Sequence, residues 1–184
     1  MVVRPATPAD AAGVAYVQTV SWREAYAGLL PADFLARREV SRQVWLDRLA
    51  GPPAGTRTLV ATMPGPDPDA PGGERVVGFV SVGPAESGPG VGHLYALYLL
   101  AEHWGEGVGH RLHAAGMAAL AETGATSAIL WVLPANTRAV EFYRREGWRL
   151  DGGTLTHRED GVEMALVRMV RALDRPAQDS GSER

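Results

Sequence analysis

Residues 93–112 read HLYALYLLAEHWGEGVGHRL and combine three features in a short span. The part from His93 to Leu99 is rich in Leu and Tyr, which favours a β-strand. A loop with glycine at positions 105, 107 and 109 follows, and the apolar spacing after it predicts a helix from about Gly107 to Glu122. Glycine lets backbone N–H groups approach oxygen atoms, and a helix begins with free N–H groups and the positive end of its dipole. The loop therefore predicts a site for a phosphate or pyrophosphate group.

Two nucleotide-binding patterns do not fit this loop. The dinucleotide fingerprint G-x-G-x-x-G would need glycine in place of His110 or of Leu112, depending on which glycine comes first. The G-x-x-x-x-G-K-[ST] phosphate loop needs a lysine, and the chain has none, because all 18 basic residues are arginine. For the loop alone, a glycine-rich turn without a ligand stays the alternative interpretation.

The composition indicates one folded domain of ordinary size. The chain has 184 residues, of which 46% are hydrophobic and 21% are charged, close to the average of globular proteins. It has no cysteine, which excludes thiolate nucleophiles, iron–sulfur clusters and disulfides. The formal net charge is −3 and no segment is dense in arginine, so we expect no nucleic-acid partner. No stretch is typical of a signal peptide or a membrane span, so we expect a cytoplasmic protein without a membrane partner.

The remaining sequence predicts a mixed α/β fold. Its segments follow the order βαα-βββ-αβ-αββ, which is neither a repeated βαβ series nor an all-β array, so the sheet should be mixed. Ser41 is expected to cap a helix that turns Val44 and Trp45 inward. Residues 63–74, rich in Pro, Gly and Asp, are expected to form a flexible hairpin loop, and residues 174–184 a flexible C-terminal tail.

Two blocks of this sequence resemble the GNAT N-acetyltransferase superfamily. WGEGVG at residues 104–109 is similar to the family's acyl-CoA signature, [QR]-x-x-G-x-[GA]. NTRAVEFYRREGW at residues 136–148 is similar to the family's N-x-x-A-x-x-F-Y-x-x-x-G-[FW] block, and the two blocks stand in the family's order. The resemblance implies one acetyltransferase domain over residues 1–173. It also implies a central mixed, largely antiparallel β-sheet that splays open and is flanked by helices.

The resemblance implies that acetyl-CoA binds as a cosubstrate in the gap of the splayed sheet. The strand backbone would pair with the pantetheine amides, the loop amides would hold the pyrophosphate, and the second block would line the CoA arm. The cofactor-binding residues implied in this way are Leu97, Tyr98, Leu99, Trp104, Gly105, Glu106, Gly107, Val108, Gly109, His110, Asn136, Ala139, Phe142 and Tyr143. Two positions depart from the pattern: Trp104 replaces Gln or Arg, and Glu106 puts a carboxylate where phosphate is expected.

The resemblance also implies the catalytic groups. Tyr143 would lie near the sulfur as a general acid for the departing thiolate, and the alternative is an aromatic side chain packed beside Phe142. His93 stands about where many relatives carry a glutamate base, and the alternative is a histidine at a strand edge with a backbone partner. Glu86 and His157 are weaker candidates for the base.

No metal site is expected. His110 and His113 lie one helical turn apart, with His103 upstream, and a zinc ion could use such a set. No carboxylate is placed in the sequence to complete that site, and the loop has a better explanation as a phosphate site.

The acceptor is expected to be a small molecule with a primary amine that attacks acetyl-CoA directly in a ternary complex. Trp22 and Tyr26, with Phe34, could surround such an acceptor, and the alternative is aromatic packing between two helices. Two other functions stay open: acetylation of a protein or peptide N-terminus, and a non-catalytic acyl-CoA-binding module. A homodimer formed through the sheets is an assembly that the resemblance allows.

Overall fold

The computed structural model describes residues 1–65 and 73–173, and within these ranges it has seven β-strands and five α-helices. The strands are β1 (Val2–Pro5), β2 (Arg57–Pro64), β3 (Glu74–Pro84), β4 (Val91–Leu99), β5 (Ser127–Val132), β6 (Arg149–Glu159) and β7 (Val162–Ala172). The helices are α1 (Ala11–Ala25), α2 (Ala32–Arg37), α3 (Arg42–Ala50), α4 (Val108–Ala121) and α5 (Thr137–Arg145), so three helices lie between β1 and β2 where the sequence-based order has two.

The strands form one sheet in the order β1-β2-β3-β4-β5-β7-β6. Neighbouring strands are antiparallel, except that β4 and β5 run parallel. The parallel pair needs a crossover connection, which α4 provides between the two strands. The mixed, largely antiparallel sheet expected from the sequence is confirmed.

Helices cover both faces of this sheet. On one face, Val14 of α1 and Trp45 of α3 pack against Phe79 of β3. On the other face, Leu112 of α4 packs with Val80 of β3 in a second cluster of buried residues. Because neighbouring side chains of a strand point to opposite faces, Phe79 and Val80 serve the two layers of the core.

The strands β4 and β5 pair only near their first residues. The pairing joins Val91–His93 to Ser127–Ile129, whereas β4 continues to pair with β3 as far as Leu99. A register shift places one extra residue, Tyr95, in β4 opposite β3, and such a bulge bends a strand. The sheet therefore splays open between β4 and β5 beyond this point, as expected.

The beginning of α3 requires one correction to the sequence-based expectation. The Ser41 hydroxyl oxygen accepts a hydrogen bond from the backbone N–H of Gln43 at 3.1 Å, so this residue caps the helix as expected. Trp45 is buried, but Val44 is 43% exposed and does not face inward. Neighbouring helix positions lie about 100° apart, and the large indole takes the inward direction.

The two strands of the β2–β3 hairpin are also longer than expected. Pro64 and Glu74 still pair with each other, so the strands extend into the segment that was expected to be loop. The rest of the prediction of flexibility falls on residues 66–72 and 174–184, which lie outside the described residues. In the described part of the chain, no helix is long and apolar enough to cross a membrane.

Candidate active site

A cavity of about 410 Å³ lies where β4 and β5 diverge. Most of the site residues expected from the sequence line it, namely Tyr26, Leu97, Tyr98, Leu99, Trp104, Gly105, Gly107, Gly109, His110, Asn136, Ala139, Phe142 and Tyr143. Trp22, His93, Glu106 and Val108 are not among the described residues that line it. The divergence of the sheet thus brings together residues from α1, β4, the glycine loop and α5.

The strand β4 forms one wall of the cavity through Leu97, Tyr98 and Leu99. Since β5 pairs with β4 only up to His93, the cavity-facing edge of β4 has no strand partner at these residues. An unpaired strand edge presents backbone N–H and C=O groups that bind an extended, amide-containing chain by β-type hydrogen bonds.

The glycine loop forms another part of the cavity, called its loop end, and leads into α4. Gly105 and Gly107 have φ values of 82° and 77°, a left-handed conformation that favours glycine. A Cβ atom at either position would meet nothing within 4 Å, so the space above the loop is open. Gly107 is the N-cap of α4, whose first N–H groups lack partners within the helix. The loop therefore has the geometry of an anion site.

Glu106 does not face this anion site. One of its carboxylate oxygens lies 3.2 Å from Nδ1 of His103, in the 3₁₀ turn that precedes the loop. Its side chain is 53% exposed. Val108 is buried in the core of α4, so it contributes at most its backbone to the loop. The carboxylate in the signature is thus directed away from the cavity.

The beginning of α5 lies beside the loop. The Asn136 side-chain oxygen accepts a hydrogen bond from the backbone N–H of Ala139 at 3.2 Å and caps this helix. Arg138, between these two residues, lines the cavity and was not singled out from the sequence. Arg138 lies inside the second sequence block, which could have drawn attention to it. The family pattern, however, leaves that position unspecified.

Three tyrosines that line the cavity lie close together, and this part is called its tyrosine end: Tyr26, the C-cap of α1, Tyr98 of β4 and Tyr143 of α5. Burial raises the pKa of each hydroxyl, and the neighbouring Tyr26 raises the pKa of Tyr98 and of Tyr143 further. The positive charge of Arg38 acts in the opposite direction on the pKa of Tyr26 and of Tyr98. All three hydroxyls therefore stay protonated at neutral pH and can donate hydrogen bonds.

Trp22 lies behind this cluster and packs into the core. Its ring centroid is 4.6 Å from that of Tyr26 and 5.6 Å from that of Phe34. The guanidinium carbon of Arg38 lies 4.2 Å from the Trp22 ring, and Arg38 forms an ion pair with Glu159 of β6. Trp22 thus supports the cavity wall, which is the packing alternative considered from the sequence.

His93 lies at the last position where β4 pairs with β5, opposite Ile129. Its ring packs against that of Tyr95, with 4.5 Å between centroids. Burial lowers the pKa of His93, and the Glu86 carboxylate opposes this effect. The imidazole is therefore neutral at neutral pH, but the structure does not bring it to the cavity surface. His157, the other histidine considered as a base, lies on β6 with Nε2 3.6 Å from Glu159.

A buried histidine connects α4 to the end of α5 beneath the loop. His113 Nε2 accepts a hydrogen bond from the indole N–H of Trp148 at 2.8 Å, and its Nδ1 lies 3.2 Å from a Glu146 oxygen. Glu146 also lies 2.9 Å from Nδ1 of His110. Burial lowers the pKa of His113 to about 4, so its neutral form satisfies both neighbours.

Glu146 places a carboxylate beside His110 and His113. The sequence alone did not indicate that it would lie there. It comes from the far end of α5, so only the folded chain brings it to these histidines. His103 lies apart from them and contacts Glu106. Within residues 1–65 and 73–173, no group of three His, Asp or Glu side chains has an arrangement that could hold a metal ion.

Comparison with known proteins agrees with this geometry. A family model described as "Acetyltransferase (GNAT) family" matches residues 22–148, which include both sequence blocks. A curated protein from Bacillus subtilis (strain 168), described as "Uncharacterized N-acetyltransferase YuaI", is 30% identical over 169 residues. That alignment covers 91% of this chain and 87% of the relative.

Solved structures share the fold. The PaiA N-acetyltransferase of Thermoplasma acidophilum, solved in complex with coenzyme A, aligns with a TM-score of 0.70 at 18% identity, over 93% of this chain and 98% of that one. The yncA protein of Salmonella typhimurium, solved with acetyl-CoA, aligns with a TM-score of 0.68 at 18% identity, over 99% of both chains. The expected fold and enzyme class are therefore confirmed, and the chain belongs to the GNAT acetyltransferase family and is an acyltransferase.

Proposed function

We propose that this protein transfers an acetyl group from acetyl-CoA to the primary amine of a small acceptor, by direct attack in a ternary complex. The observation that carries the proposal is the cavity between β4 and β5. Its loop end has the geometry of an anion site, and its other end has three protonated tyrosine hydroxyls.

The residues present fit an acyl-CoA molecule. The free edge of β4 at Leu97–Leu99 would pair with the pantetheine amides. The open space above Gly105 and Gly107 would receive the pyrophosphate, and the N-terminus of α4 would stabilise its charge. Two solved relatives that share this fold hold coenzyme A or acetyl-CoA, which supports the same ligand here.

Acetyl transfer joins the amine nitrogen to the thioester carbonyl carbon, breaks the carbon–sulfur bond and leaves a thiolate. In the proposed site, the Tyr143 hydroxyl donates a hydrogen bond to this sulfur and supplies its proton. Tyr143 lines the cavity, and burial raises its pKa, which keeps the proton on the phenol until the sulfur gains charge. No covalent enzyme intermediate is needed, and the chain has no cysteine to form one.

The incoming amine must lose a proton before or during the attack. We keep His93 as the proposed base, acting through water in the cavity, because its ring centroid lies 4.5 Å from that of Tyr95, which lines the cavity. Its lowered pKa leaves the imidazole free to accept a proton at neutral pH.

The tyrosine end of the cavity would hold the acceptor. Tyr26 and Tyr98 offer hydroxyl groups and aromatic faces there, and Trp22 supports them from behind. Among the described residues that line the cavity, the carboxylate belongs to Glu146, which lies with His110 at the loop end. The acceptor end therefore suits a compact amine with one positive charge better than a polyamine.

The proposal is tested by following release of the CoA thiol with a thiol reagent, while acetyl-CoA is mixed with a panel of small primary amines. Because the protein has no cysteine, it contributes no background to this assay. We expect thiol release to depend on a small amine and the acetylated amine to form in equal amount. Turnover with peptide N-termini alone would favour that alternative. Acetyl-CoA binding without turnover on any amine would identify a non-catalytic binding module.

A further inference from the structure

The side chain of Trp104 has a defined position at the loop end of the cavity. Its indole N–H donates a hydrogen bond to the backbone carbonyl of Leu99, at the end of β4, at 3.0 Å. Trp104 is 38% exposed and lines the cavity, so one face of its ring stays available. The residue that replaces the usual Gln or Arg of the signature is thus a fixed aromatic surface beside the glycine loop.

The guanidinium of Arg138 lies over this aromatic face. Arg138 comes from the first turn of α5, on the opposite wall of the cavity, so the contact joins the two walls. Among the described residues, no carboxylate lies within 4.0 Å of its guanidinium. Burial lowers the pKa of Arg138, and the more distant Glu24 opposes this effect. The group stays charged, since an arginine does not lose its proton in proteins.

An arginine without a carboxylate partner, at the edge of an anion site, has unused hydrogen-bond donors. Stacking on an aromatic ring orients a guanidinium and leaves its in-plane N–H groups available. Those donors match the oxygen atoms of a phosphoryl group, which they bind in charge-assisted, bidentate geometry. The neighbouring lining residues Gly105 and Gly107 offer backbone groups to the same ligand.

We propose that Arg138, oriented by Trp104, binds a phosphoryl group of the bound acetyl-CoA and supplies the positive charge that the signature position lacks in this chain. The proposal rests on acetyl-CoA being the ligand of the cavity. The two residues come from different elements, and Trp104 departs from the family pattern. The phosphoryl group is either the pyrophosphate or the 3′-phosphate, and a series of ligands distinguishes them.

The test compares dissociation constants for three ligands: acetyl-CoA, acetyl-3′-dephospho-CoA and S-acetylpantetheine, which has no phosphate. Calorimetry is run on the full chain and on Arg138→Ala, with Arg144→Ala as the matched control. Arg144 lies on the same helix and is exposed, and it does not line the cavity. We expect Arg138→Ala to weaken acetyl-CoA binding about tenfold or more, in line with loss of a charge-assisted contact, while S-acetylpantetheine binding changes less than about twofold. Arg144→Ala should bind acetyl-CoA like the unmodified protein.

The ligand series also locates the contact. If Arg138→Ala weakens acetyl-3′-dephospho-CoA as much as acetyl-CoA, the contact is with the pyrophosphate. If the effect disappears with that ligand, the contact is with the 3′-phosphate. Either result supports the proposal.

The role of Trp104 has its own test. Trp104→Leu should weaken acetyl-CoA binding about threefold, and the double variant should bind no worse than Arg138→Ala, because the ring acts through the guanidinium. Arg138→Lys should retain part of the affinity and lose the coupling to Trp104, since an ammonium lacks the planar donor set. Thermal unfolding of each variant shows that the fold is retained.

The proposal is overturned if Arg138→Ala binds acetyl-CoA as the unmodified protein does, or if it weakens S-acetylpantetheine by the same factor. Additive effects of Trp104→Leu and Arg138→Ala would contradict the coupling between them. Failure of the unmodified protein to bind acetyl-CoA would be a different result, because it would overturn the proposed function and this inference together.

Discussion

The two ends of the cavity offer a ligand different chemistry. The loop end consists of backbone groups and charge, with Gly105 and Gly107 in left-handed conformation, the N-terminus of α4 and the guanidinium of Arg138. The tyrosine end consists of uncharged, largely buried side chains, in which the neighbouring Tyr26 raises the pKa of Tyr143. In the proposed function, the fold of the loop would recognise the anion, whereas the acceptor and the reaction would depend on individual side chains.

Because of this difference, we expect substitutions at the two ends of the cavity to affect different measured quantities. Changes at the loop end should alter acetyl-CoA affinity and leave the chemistry intact. Changes at the tyrosine end should alter turnover or acceptor affinity and leave acetyl-CoA affinity intact. A variant that changed both acetyl-CoA affinity and turnover would contradict this separation.

Tyr143→Phe should have the largest effect. Loss of the phenol proton should lower kcat by about a hundred- to a thousandfold, because a positioned general acid contributes about that much. The affinity for acetyl-CoA, measured by calorimetry, should change less than about twofold, since the ring still fills its place beside Phe142 and Trp148. A kcat close to that of the unmodified protein would remove Tyr143 from the chemistry.

The buried His113 should make the folded state sensitive to acid. In the unfolded chain its pKa is the ordinary value of about 6.5, and in the folded protein burial lowers the pKa to about 4. Between these values the unfolded state binds more protons, so this contribution to stability is fully present above about pH 6.5 and is lost as the pH falls towards 4. We expect about 3 kcal/mol of the free energy of unfolding to depend on pH in this window.

Urea titrations at several pH values measure this dependence. His113→Gln should reduce the slope of stability against pH between pH 4 and 6.5, whatever its effect on stability at neutral pH. His157→Gln, which removes an exposed histidine from β6, is the control. An unchanged slope in His113→Gln would show that another group causes the acid sensitivity of the region beneath the loop.

Tyr26→Phe should have a smaller effect, confined to the acceptor. Removing this hydroxyl should raise the KM for the best amine of the panel about fivefold, because one hydrogen bond to the acceptor is lost. The affinity for acetyl-CoA should stay the same, and Tyr16→Phe, which changes an exposed tyrosine of α1, is the control. A weaker acetyl-CoA complex in Tyr26→Phe would place this residue with the cofactor instead.

Glu106→Gln should have the smallest effect of the series. The carboxylate contacts His103 and is half exposed, so its charge is screened by solvent. We expect the dissociation constant for acetyl-CoA to change less than about twofold. A clearly tighter complex would show that the carboxylate faces the phosphates when the ligand is bound.

The loop and the divergence of the sheet could be predicted from the sequence because their causes are local or recorded in a motif. Gly105 and Gly107 adopt backbone angles that favour glycine, and the strand that precedes them was visible in its own composition. The resemblance of residues 136–148 predicted that Asn136 and Ala139 line the CoA arm, and in the structure both residues line the cavity.

The direction of individual side chains could not be predicted in the same way. Trp22 in the last turn of α1 and Tyr26 at its C-cap are four residues apart, yet the first packs against Phe34 and only the second lines the cavity. His93 was placed by analogy with a glutamate, but its ring lies against Tyr95, the extra residue of the bulge. Such outcomes depend on contacts with elements that are distant in the sequence.

Long-range polar contacts were likewise not visible beforehand. Glu146 lies between His110 and His113 only because α5 packs beside α4. Arg138 occupies a position that the family pattern leaves unspecified. Its proposed role depends on Trp104, on the opposite wall, because the guanidinium lies over that ring. The sequence predicts where the proposed ligand site lies, and the tertiary structure shows which charged groups lie around it.

The most direct test of the account is calorimetric titration of the unmodified protein with acetyl-CoA, beside parallel titrations with desulfo-CoA and ATP. We expect a dissociation constant in the micromolar range for acetyl-CoA and no response to ATP, because the cavity combines a free strand edge, which would pair with pantetheine, with the geometry of an anion site. The absence of both heat and thermal stabilisation with millimolar acetyl-CoA would contradict it.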